Sequence, residues 1–145
     1  MLNVVYLEKT RCSKFQLLWW DKRLVVVDEC ARDYTLAVSF KNVVDRSIWA
    51  LAGVYGPNSN RDRRLLWDEL AGLRYWWNLP WCIGGDFNVT RFSTERSGEA
   101  LLCTALMEFA NLIFYQGLLD LPLVGDSITW LISQEPPMWS RIDRF

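Results

Sequence analysis

Histidine is absent from this sequence of 145 residues. These residues therefore cannot supply Ser-His or Cys-His nucleophilic catalysis, or an imidazole ligand to a metal. Cysteine is scarce, and the four cysteines lie far apart without a C-x-x-C pair: Cys12, Cys30, Cys82 and Cys103. That spacing excludes zinc ribbons and gives no sign of a disulfide framework, so free thiols in a reducing compartment are expected.

Long hydrophobic runs are also missing. No apolar run reaches the ~18 residues that a bilayer span needs, so no membrane partner is expected. Residues 1–9 lack a basic segment followed by a long apolar stretch, which predicts no signal peptide and a nuclear or cytoplasmic location rather than secretion. The net charge is −1, so no overall field attracts nucleic acid, and any contact with DNA has to be local.

The composition is that of a single globular domain, with 51% hydrophobic residues and nine tryptophans. We assign residues 15–145 to this domain and leave 1–14 unassigned. Apolar patterns predict strands at 15–20, 24–27, 36–40 and 48–55. The last three are joined by short polar links, which predicts an antiparallel meander. The continuous apolar run at 24–27 is typical of a strand covered on both faces.

Helical patterns follow the meander. Ser59 and Asp62 have capping-box spacing, and Arg64 can pair with Asp68 one turn later. Apolar residues at helical spacing predict two helices, the first through Leu66, Leu70, Leu73 and Trp77 and the second through Leu102, Leu106, Phe109 and Ile113. Gly117 is expected to end the second helix. Further strands are predicted at 81–84, 127–131 and 139–145. Strands followed by alternating helices and strands predict an α/β sandwich of two sheets with helices outside.

The stretch "IGGDFNVT", residues 83–90, delivers polar side chains at the end of an apolar strand. Strand alternation would place Asp86 and Asn88 on one side and Phe87 on the other. One interpretation is a chemical site at the end of the strand. The other is a turn, because Asp and Asn bond their own backbone at loop starts.

Two more polar residues lie where predicted strands leave the core, which is where α/β folds build sites. Tyr55 ends a strand in "VYGP", and Asp143 lies in "SRIDRF". Each also has a structural interpretation. Tyr55 can be a packed aromatic at a strand end, and Asp143 can form a surface ion pair with Arg141 or Arg144, which contributes little stability.

Taken in order, these stretches resemble the endonuclease/exonuclease/phosphatase family, and most closely the apurinic-type endonuclease domain of non-LTR retrotransposon polyproteins. The resemblance covers roughly residues 16–145. It is carried by "WALAGVYGPN" at 49–58, "LWDELAGL" at 66–73, "NLPWCIGGDFNVTRF" at 78–92, "ERSGEA" at 95–100 and "WSRIDRF" at 139–145.

The resemblance implies an incomplete four-layer α/β/β/α sandwich of the DNase I-like type and Mg²⁺-dependent cleavage of phosphate esters in DNA. By resemblance, Asp86 orients the attacking water and is the candidate metal ligand. Asn88 and Tyr55 reach the phosphate, and Asp143 positions a catalytic histidine. Residues of the DNA-binding side would be Thr129 and Trp130 in "SITW", with Arg91.

The sequence departs from the family pattern at both ends. The family binds its metal through an N-terminal Asn and a Glu, which Asn3 and Glu8 match only weakly, and takes its histidine from a C-terminal Ser-Asp-His. We therefore expect a fragment of a nuclease domain that is inactive as it stands. Two alternatives stay open. One is a binding module without activity that contacts DNA or a protein through Arg61, Arg63, Arg91 and Arg96; the other is a phosphatase of small phosphoesters.

Overall fold

The computed structural model describes residues 3–8, 15–98, 104–125 and 128–144. The strands are β1 Asn3–Glu8, β2 Phe15–Trp20, β3 Leu24–Ala31, β4 Thr35–Asn42, β5 Ile48–Tyr55, β6 Trp81–Asp86, β7 Trp130–Ile132, β8 Met138–Ser140 and β9 Asp143–Arg144. The helices are α1 Asn60–Trp76 and α2 Thr104–Tyr115, with a short 3₁₀ helix at Ser93–Glu95.

A five-stranded sheet in the order β3-β4-β5-β6-β9 organises the chain. The strands β3, β4 and β5 form the antiparallel meander that the sequence predicts. The chain then crosses over through α1, so β6 runs parallel to β5, and β9 closes the row antiparallel to β6. Two smaller antiparallel sheets are formed by β1 with β2 and by β7 with β8.

The first helix begins and packs as its sequence predicts. The Ser59 hydroxyl accepts a hydrogen bond from the Asp62 backbone N–H at 3.1 Å, which satisfies one of the free donors of the first turn. Its apolar face is buried, with Leu66, Leu70 and Leu73 at most 3% exposed. The predicted Arg64–Asp68 pair is wrong. Arg64 instead reaches Glu108 of α2 at 2.7 Å, because that carboxylate faces it from the neighbouring helix.

The second helix ends in a left-handed glycine. Gly117 has φ +62, its N–H donates to the Phe114 carbonyl, and the Leu118 N–H donates to the Ile113 carbonyl at 2.9 Å. This is the Schellman arrangement, which satisfies carbonyls that the helix leaves free. The prediction that Gly117 ends the helix is confirmed. Leu102 lies outside the described residues.

Both helices pack on one face of the sheet. On this face, Ala52 of β5 pairs with Ala37 of β4 along one edge and with Ile83 of β6 along the other. The two small alanine side chains let the helices approach the sheet closely. Their cluster includes Leu66 and Leu70 of α1, and Phe109 and Ile113 of α2, all buried. The rings of Trp67 and Phe109 stack at 5.4 Å. Leu36, Val38 and Phe40 of β4 face the other way and are also buried, so this interior strand is covered on both faces.

Two expectations differ from the structure, and one segment without an assignment is found to contain a strand. The segment 1–14, left unassigned from sequence, contains β1, which pairs along its whole length with β2. The run at 24–27 is not covered on both faces: Val25 and Val27 are each 54% exposed, because β3 pairs only with β4 among the described strands and is bulged after Val26. The strand predicted at 139–145 divides into β8 and β9, which belong to different sheets.

Replacing Leu70 with Ala is expected to lower the free energy of unfolding by about 2–5 kcal/mol, because it leaves a cavity under α1 where the side chain is 1% exposed. Urea denaturation followed by tryptophan fluorescence measures the change. Leu65→Ala is the matched control on the exposed side of the same helix and should change the stability by about 0.5 kcal/mol or less. Equal losses in the two variants would contradict the packing of α1 described above.

Candidate functional site

The sheet register brings three of the predicted site residues together. Tyr55 pairs with Asp86 across the parallel strands β5 and β6, and Asp86 pairs with Asp143 across the antiparallel strands β6 and β9. Directly paired residues project from the same face of a sheet. Tyr55, Asp86 and Asp143 therefore form a row on three neighbouring strands, on the face opposite the helices. The register thus brings together three residues that are far apart in the sequence.

Close contact between the ends of β5 and β6 depends on two glycines. The Gly56 N–H donates to the Asp86 carbonyl at 2.5 Å. A Cβ at Gly56 would lie 2.2 Å from the Phe87 carbonyl oxygen, and a Cβ at Gly85 would lie 2.2 Å from the Val54 carbonyl oxygen. Gly85 also has φ +134, a conformation that other residues rarely adopt. The glycines of "VYGP" and "GGDFN" thus let the two strand ends meet.

The "GGDFN" stretch is both a strand end and a turn. Strand alternation stops at Asp86, because Asn88 adopts φ +51, the left-handed conformation that Asn tolerates better than most residues. The Asn88 N–H donates to Asp86 Oδ1 at 2.8 Å, and Asn88 Nδ2 donates to the Gly56 carbonyl at 2.5 Å. The extended arrangement that alternation predicts for Asn88 is therefore wrong. The side chain of Asn88 joins the loops that follow β5 and β6.

Thr129 fixes the backbone that carries Asp143. Its hydroxyl oxygen accepts hydrogen bonds from the Ile142 N–H at 2.9 Å and from the Asp143 N–H at 3.2 Å. On the other side, the Ile142 carbonyl accepts from the Phe87 N–H at 2.9 Å. The bend between β8 and β9 is thereby fixed against the end of β6. The hydroxyl of Thr129 acts here on the protein's own backbone.

A cleft of about 320 Å³ lies near this row without including any of its three residues; it is reached from the row through Asn88 and Ile142. Trp130, which pairs with Ser140 in the β7–β8 hairpin, contributes an indole that is 38% exposed. Asn88 and Ile142 line the cleft where it approaches the strand ends, and two cations line it as well, the buried Arg63 and the exposed Arg96. The cleft therefore combines an aromatic surface with polar and cationic groups next to the candidate site.

A buried cluster of ions lies behind β9, formed by Arg91, Arg141 and Arg144 with Glu95 and Asp120. We name it the arginine–carboxylate cluster. Arg144 is 3% exposed and contacts both carboxylates, while Arg141 lies 3.5 Å from Glu95 and 3.4 Å from Asp120. The two arginines considered as partners of Asp143 are thus paired elsewhere.

Arg91 belongs to the same cluster. Its guanidinium is 3.4 Å from Asp120 and lies over the Phe92 ring at 4.9 Å, while its backbone N–H donates to Glu95. Arg63 is likewise directed towards protein groups, as described below. Of the four arginines considered for contact with DNA, Arg61 and Arg96 are the two with exposed side chains.

From the sequence, Glu95 and Asp120 have no predicted role in the site, and Arg63 is predicted only as a contact for DNA or a protein. The two carboxylates carry no local signal, because they meet their arginines only in the folded chain. Arg63 does carry one, since it stands on the apolar stripe of α1, three residues before Leu66 and four before Trp67. A charged residue on such a stripe indicates a buried partner.

The residue types at the strand ends fit a hard divalent cation. Asp86 and Asp143 present carboxylates from paired positions, and oxygen ligands are those that Mg²⁺ prefers. Within the described ranges there is no group of three or more His, Cys, Asp or Glu that could hold a metal. Mg²⁺ commonly uses one or two carboxylates and completes its shell with water and substrate phosphate, and an aspartate at the end of β6 is compatible with that mode.

Solved structures of known proteins share this fold. The endonuclease domain of TRAS1, a telomere-specific non-LTR retrotransposon, superimposes with a TM-score of 0.75 at 14% identity, over 99% of this chain and 65% of that one. An endonuclease/exonuclease/phosphatase family protein from Bacteroides thetaiotaomicron gives 0.53 at 12% identity, over 76% of this chain and 46% of that one. TDP2 from C. elegans gives 0.54 at 12% identity, over 99% and 47%.

These matches confirm the DNase I-like fold, of which this chain is a part. It spans about 65% of the length of the TRAS1 domain. Searches against protein-family models and against curated proteins give no match. Neither described helix is long and apolar enough to pass through a bilayer.

Gly56→Ala is expected to lower the free energy of unfolding by about 1–3 kcal/mol, because the new methyl group would overlap the Phe87 carbonyl. Thermal unfolding followed by circular dichroism measures the change. Gly72→Ala is the control. Nothing lies within 4 Å of a Cβ at Gly72, which is inside α1, so this change should stabilise the chain by about 0.5–1 kcal/mol. A neutral Gly56→Ala would contradict the close approach of the two strand ends.

Proposed function

We propose that the chain is part of a Mg²⁺-dependent phosphodiesterase domain that acts on DNA, of the endonuclease/exonuclease/phosphatase family and of retrotransposon lineage. The observation that carries the proposal is the register of Tyr55, Asp86 and Asp143 on adjacent strands. The likeness in fold to the TRAS1 endonuclease domain supports the lineage. The sequence stretches that resemble the retrotransposon branch support it independently.

The requirements of phosphodiester hydrolysis explain the residue types in the row. The phosphate oxygens are negatively charged and repel a nucleophile, so the reaction needs an oriented water and compensation of the developing charge. In the proposed site, the Asp86 carboxylate orients the attacking water. Tyr55 donates to a phosphate oxygen through its hydroxyl. Asn88 has a second amide hydrogen for the phosphate beside the one that it donates to Gly56.

Asp143 has a different proposed role. A carboxylate that accepts from one nitrogen of an imidazole fixes its tautomer and stabilises its protonated form. The pairing of Asp143 with Asp86 and the hydrogen bond from its backbone N–H to Thr129 support this role. The imidazole would have to come from outside these 145 residues, which contain no histidine.

Magnesium would bind through the Asp86 carboxylate, with water and substrate phosphate completing its shell. When bound, the ion would offset the negative charge of the phosphate. The negative charge of Asp143 on the neighbouring strand also favours a cation at Asp86.

DNA would contact the chain along the cleft. Trp130 offers an aromatic surface there and Thr129 supports the neighbouring backbone. Arg91 would contact DNA from its position in the arginine–carboxylate cluster. Arg96 would contact DNA directly, because its exposed side chain lines the cleft. With a net charge of −1, binding should depend on these local contacts rather than on the overall field.

A second candidate function is a DNA-binding module without activity. One specific observation favours it. The functional groups of Asp86 and Asn88 bond the protein's own loops, as they would in a turn with no chemical role. The two candidates differ in whether a divalent cation binds at Asp86.

Mn²⁺, a paramagnetic substitute for Mg²⁺, should broaden the backbone amide signals of Asp86, Phe87 and Asp143 before others in an NMR titration of the 145-residue polypeptide. Asp86→Asn keeps the size of the side chain and removes its charge, so it should weaken this binding at least about tenfold. Asp68→Asn, an exposed carboxylate of α1, is the control and should leave the titration unchanged. Broadening centred elsewhere, or insensitive to Asp86→Asn, would favour the second candidate.

The 145-residue polypeptide by itself is expected to show no appreciable Mg²⁺-dependent nicking of supercoiled plasmid. Catalytic groups that act as a unit are not additive, so losing the imidazole that Asp143 would hold removes most of the rate and not only a part of it. A circular dichroism spectrum of the same sample verifies that the polypeptide is folded. Nicking that Asp86→Ala abolishes and Asp68→Ala retains would overturn the expected inactivity and identify a working site.

A further inference from the structure

We propose that Arg63 is a positioning residue of the candidate site, whose guanidinium holds the loop after β6 in the conformation that orients Asp86 and Asn88. The inference rests on the proposed function in one respect, which is that this loop carries the site. The contacts that support it do not depend on that function.

Arg63 is buried where a cation is unfavourable. It lies in the first turn of α1, on the same face as Leu66 and Leu70, and is 9% exposed. The positive end of the helix dipole is at this turn, so a cation is repelled here, and burial removes its hydration as well. Only good hydrogen-bond partners can offset these two costs.

The partners of Arg63 lie in the loop after β5, in the first turn of α1 and in the loop after β6. One terminal nitrogen, Nη1, donates to the Asn88 carbonyl at 2.8 Å and lies 3.5 Å from the Pro57 carbonyl. The other terminal nitrogen donates to the Asn60 side-chain oxygen. One planar guanidinium therefore joins the loop after β5, which follows Tyr55, to the loop after β6, which contains Asn88.

The bond to Asn88 completes the restraint of that residue. Its N–H donates to Asp86 and its side-chain amide donates to Gly56, so Arg63 takes the remaining backbone group, the carbonyl. With its N–H and carbonyl both bonded, Asn88 is held at φ +51, and Asp86 Oδ1 keeps its acceptor geometry. Arg63 thereby acts on Asp86 and Asn88 through the backbone, without being required at the reacting phosphate.

Lysine should not replace Arg63 fully. An ammonium is a compact charge without the planar fork, so it cannot join the carbonyl of Asn88 and the side chain of Asn60 in the same geometry. A partial effect of Arg63→Lys and a full effect of Arg63→Met is therefore the expected order.

Amide hydrogen exchange measured by NMR on the 145-residue polypeptide tests the inference. In Arg63→Met, the Asn88 amide should exchange at least about tenfold faster after correction for the change at the Leu70 and Phe109 amides, which report the stability of the core. Arg63→Lys should give a smaller factor. Arg61→Met, an exposed arginine of the same turn, should leave the Asn88 amide unchanged.

The inference would be overturned if Arg63→Met accelerated exchange at the Asn88 amide only as much as at the core amides. It would also be overturned if Arg61→Met accelerated exchange at Asn88 as much as Arg63→Met does. The Mn²⁺ titration of the unsubstituted chain separates it from the proposed function. If Arg63→Met accelerates exchange selectively at the Asn88 amide but Mn²⁺ does not bind at Asp86, the role of Arg63 in the loop is supported and the proposed function is rejected. If Mn²⁺ binds at Asp86 but Arg63→Met does not accelerate exchange selectively at the Asn88 amide, the proposed function is supported and the role of Arg63 is rejected.

Discussion

Gly56 donates its backbone N–H to the carbonyl of Asp86 where the parallel strands β5 and β6 end, and the candidate site depends on this contact. It sets the register that pairs Tyr55 with Asp86. It also brings the Gly56 carbonyl within reach of the Asn88 side chain. Both contacts require a glycine at this position, because a Cβ at Gly56 would overlap the Phe87 carbonyl. The absence of a side chain at Gly56 therefore determines where the functional side chains lie.

The pairing of Asp86 with Asp143 would not form on its own, because like charges directly opposite each other destabilise a sheet. Other contacts must retain β9, which has only two residues. The Thr129 hydroxyl and the Ile142 carbonyl fix its backbone, and Arg144 anchors it in the arginine–carboxylate cluster. Contacts from three segments thus stabilise a pairing that the like charges of its two residues disfavour.

Local patterns in the sequence were sufficient for some elements and not for others. The capping role of Ser59, the end of α2 at Gly117 and the bounds of β5 follow from residues a few positions apart. The partner of Arg64, the division of 139–145 between two sheets and the partners of Arg141 and Arg144 depend on residues distant in the chain. Asn88 combines a local and a distant signal. The pattern Gly-Gly-Asp-x-Asn indicates a turn, but the conformation of Asn88 is fixed by its contact with Gly56, 32 residues earlier in the chain.

The arginine–carboxylate cluster also has a consequence for the order of folding. Arg144 is separated by 49 residues from Glu95 and by 24 from Asp120, so these contacts close long loops, which form slowly compared with helices and hairpins. The meander, by contrast, joins strands that follow one another. The β3-β4-β5 sheet can therefore assemble first, whereas Asp143 reaches Asp86 only after residues from three distant segments have met. During synthesis the row therefore stays incomplete until the chain has been made as far as Arg144, 49 residues after Glu95.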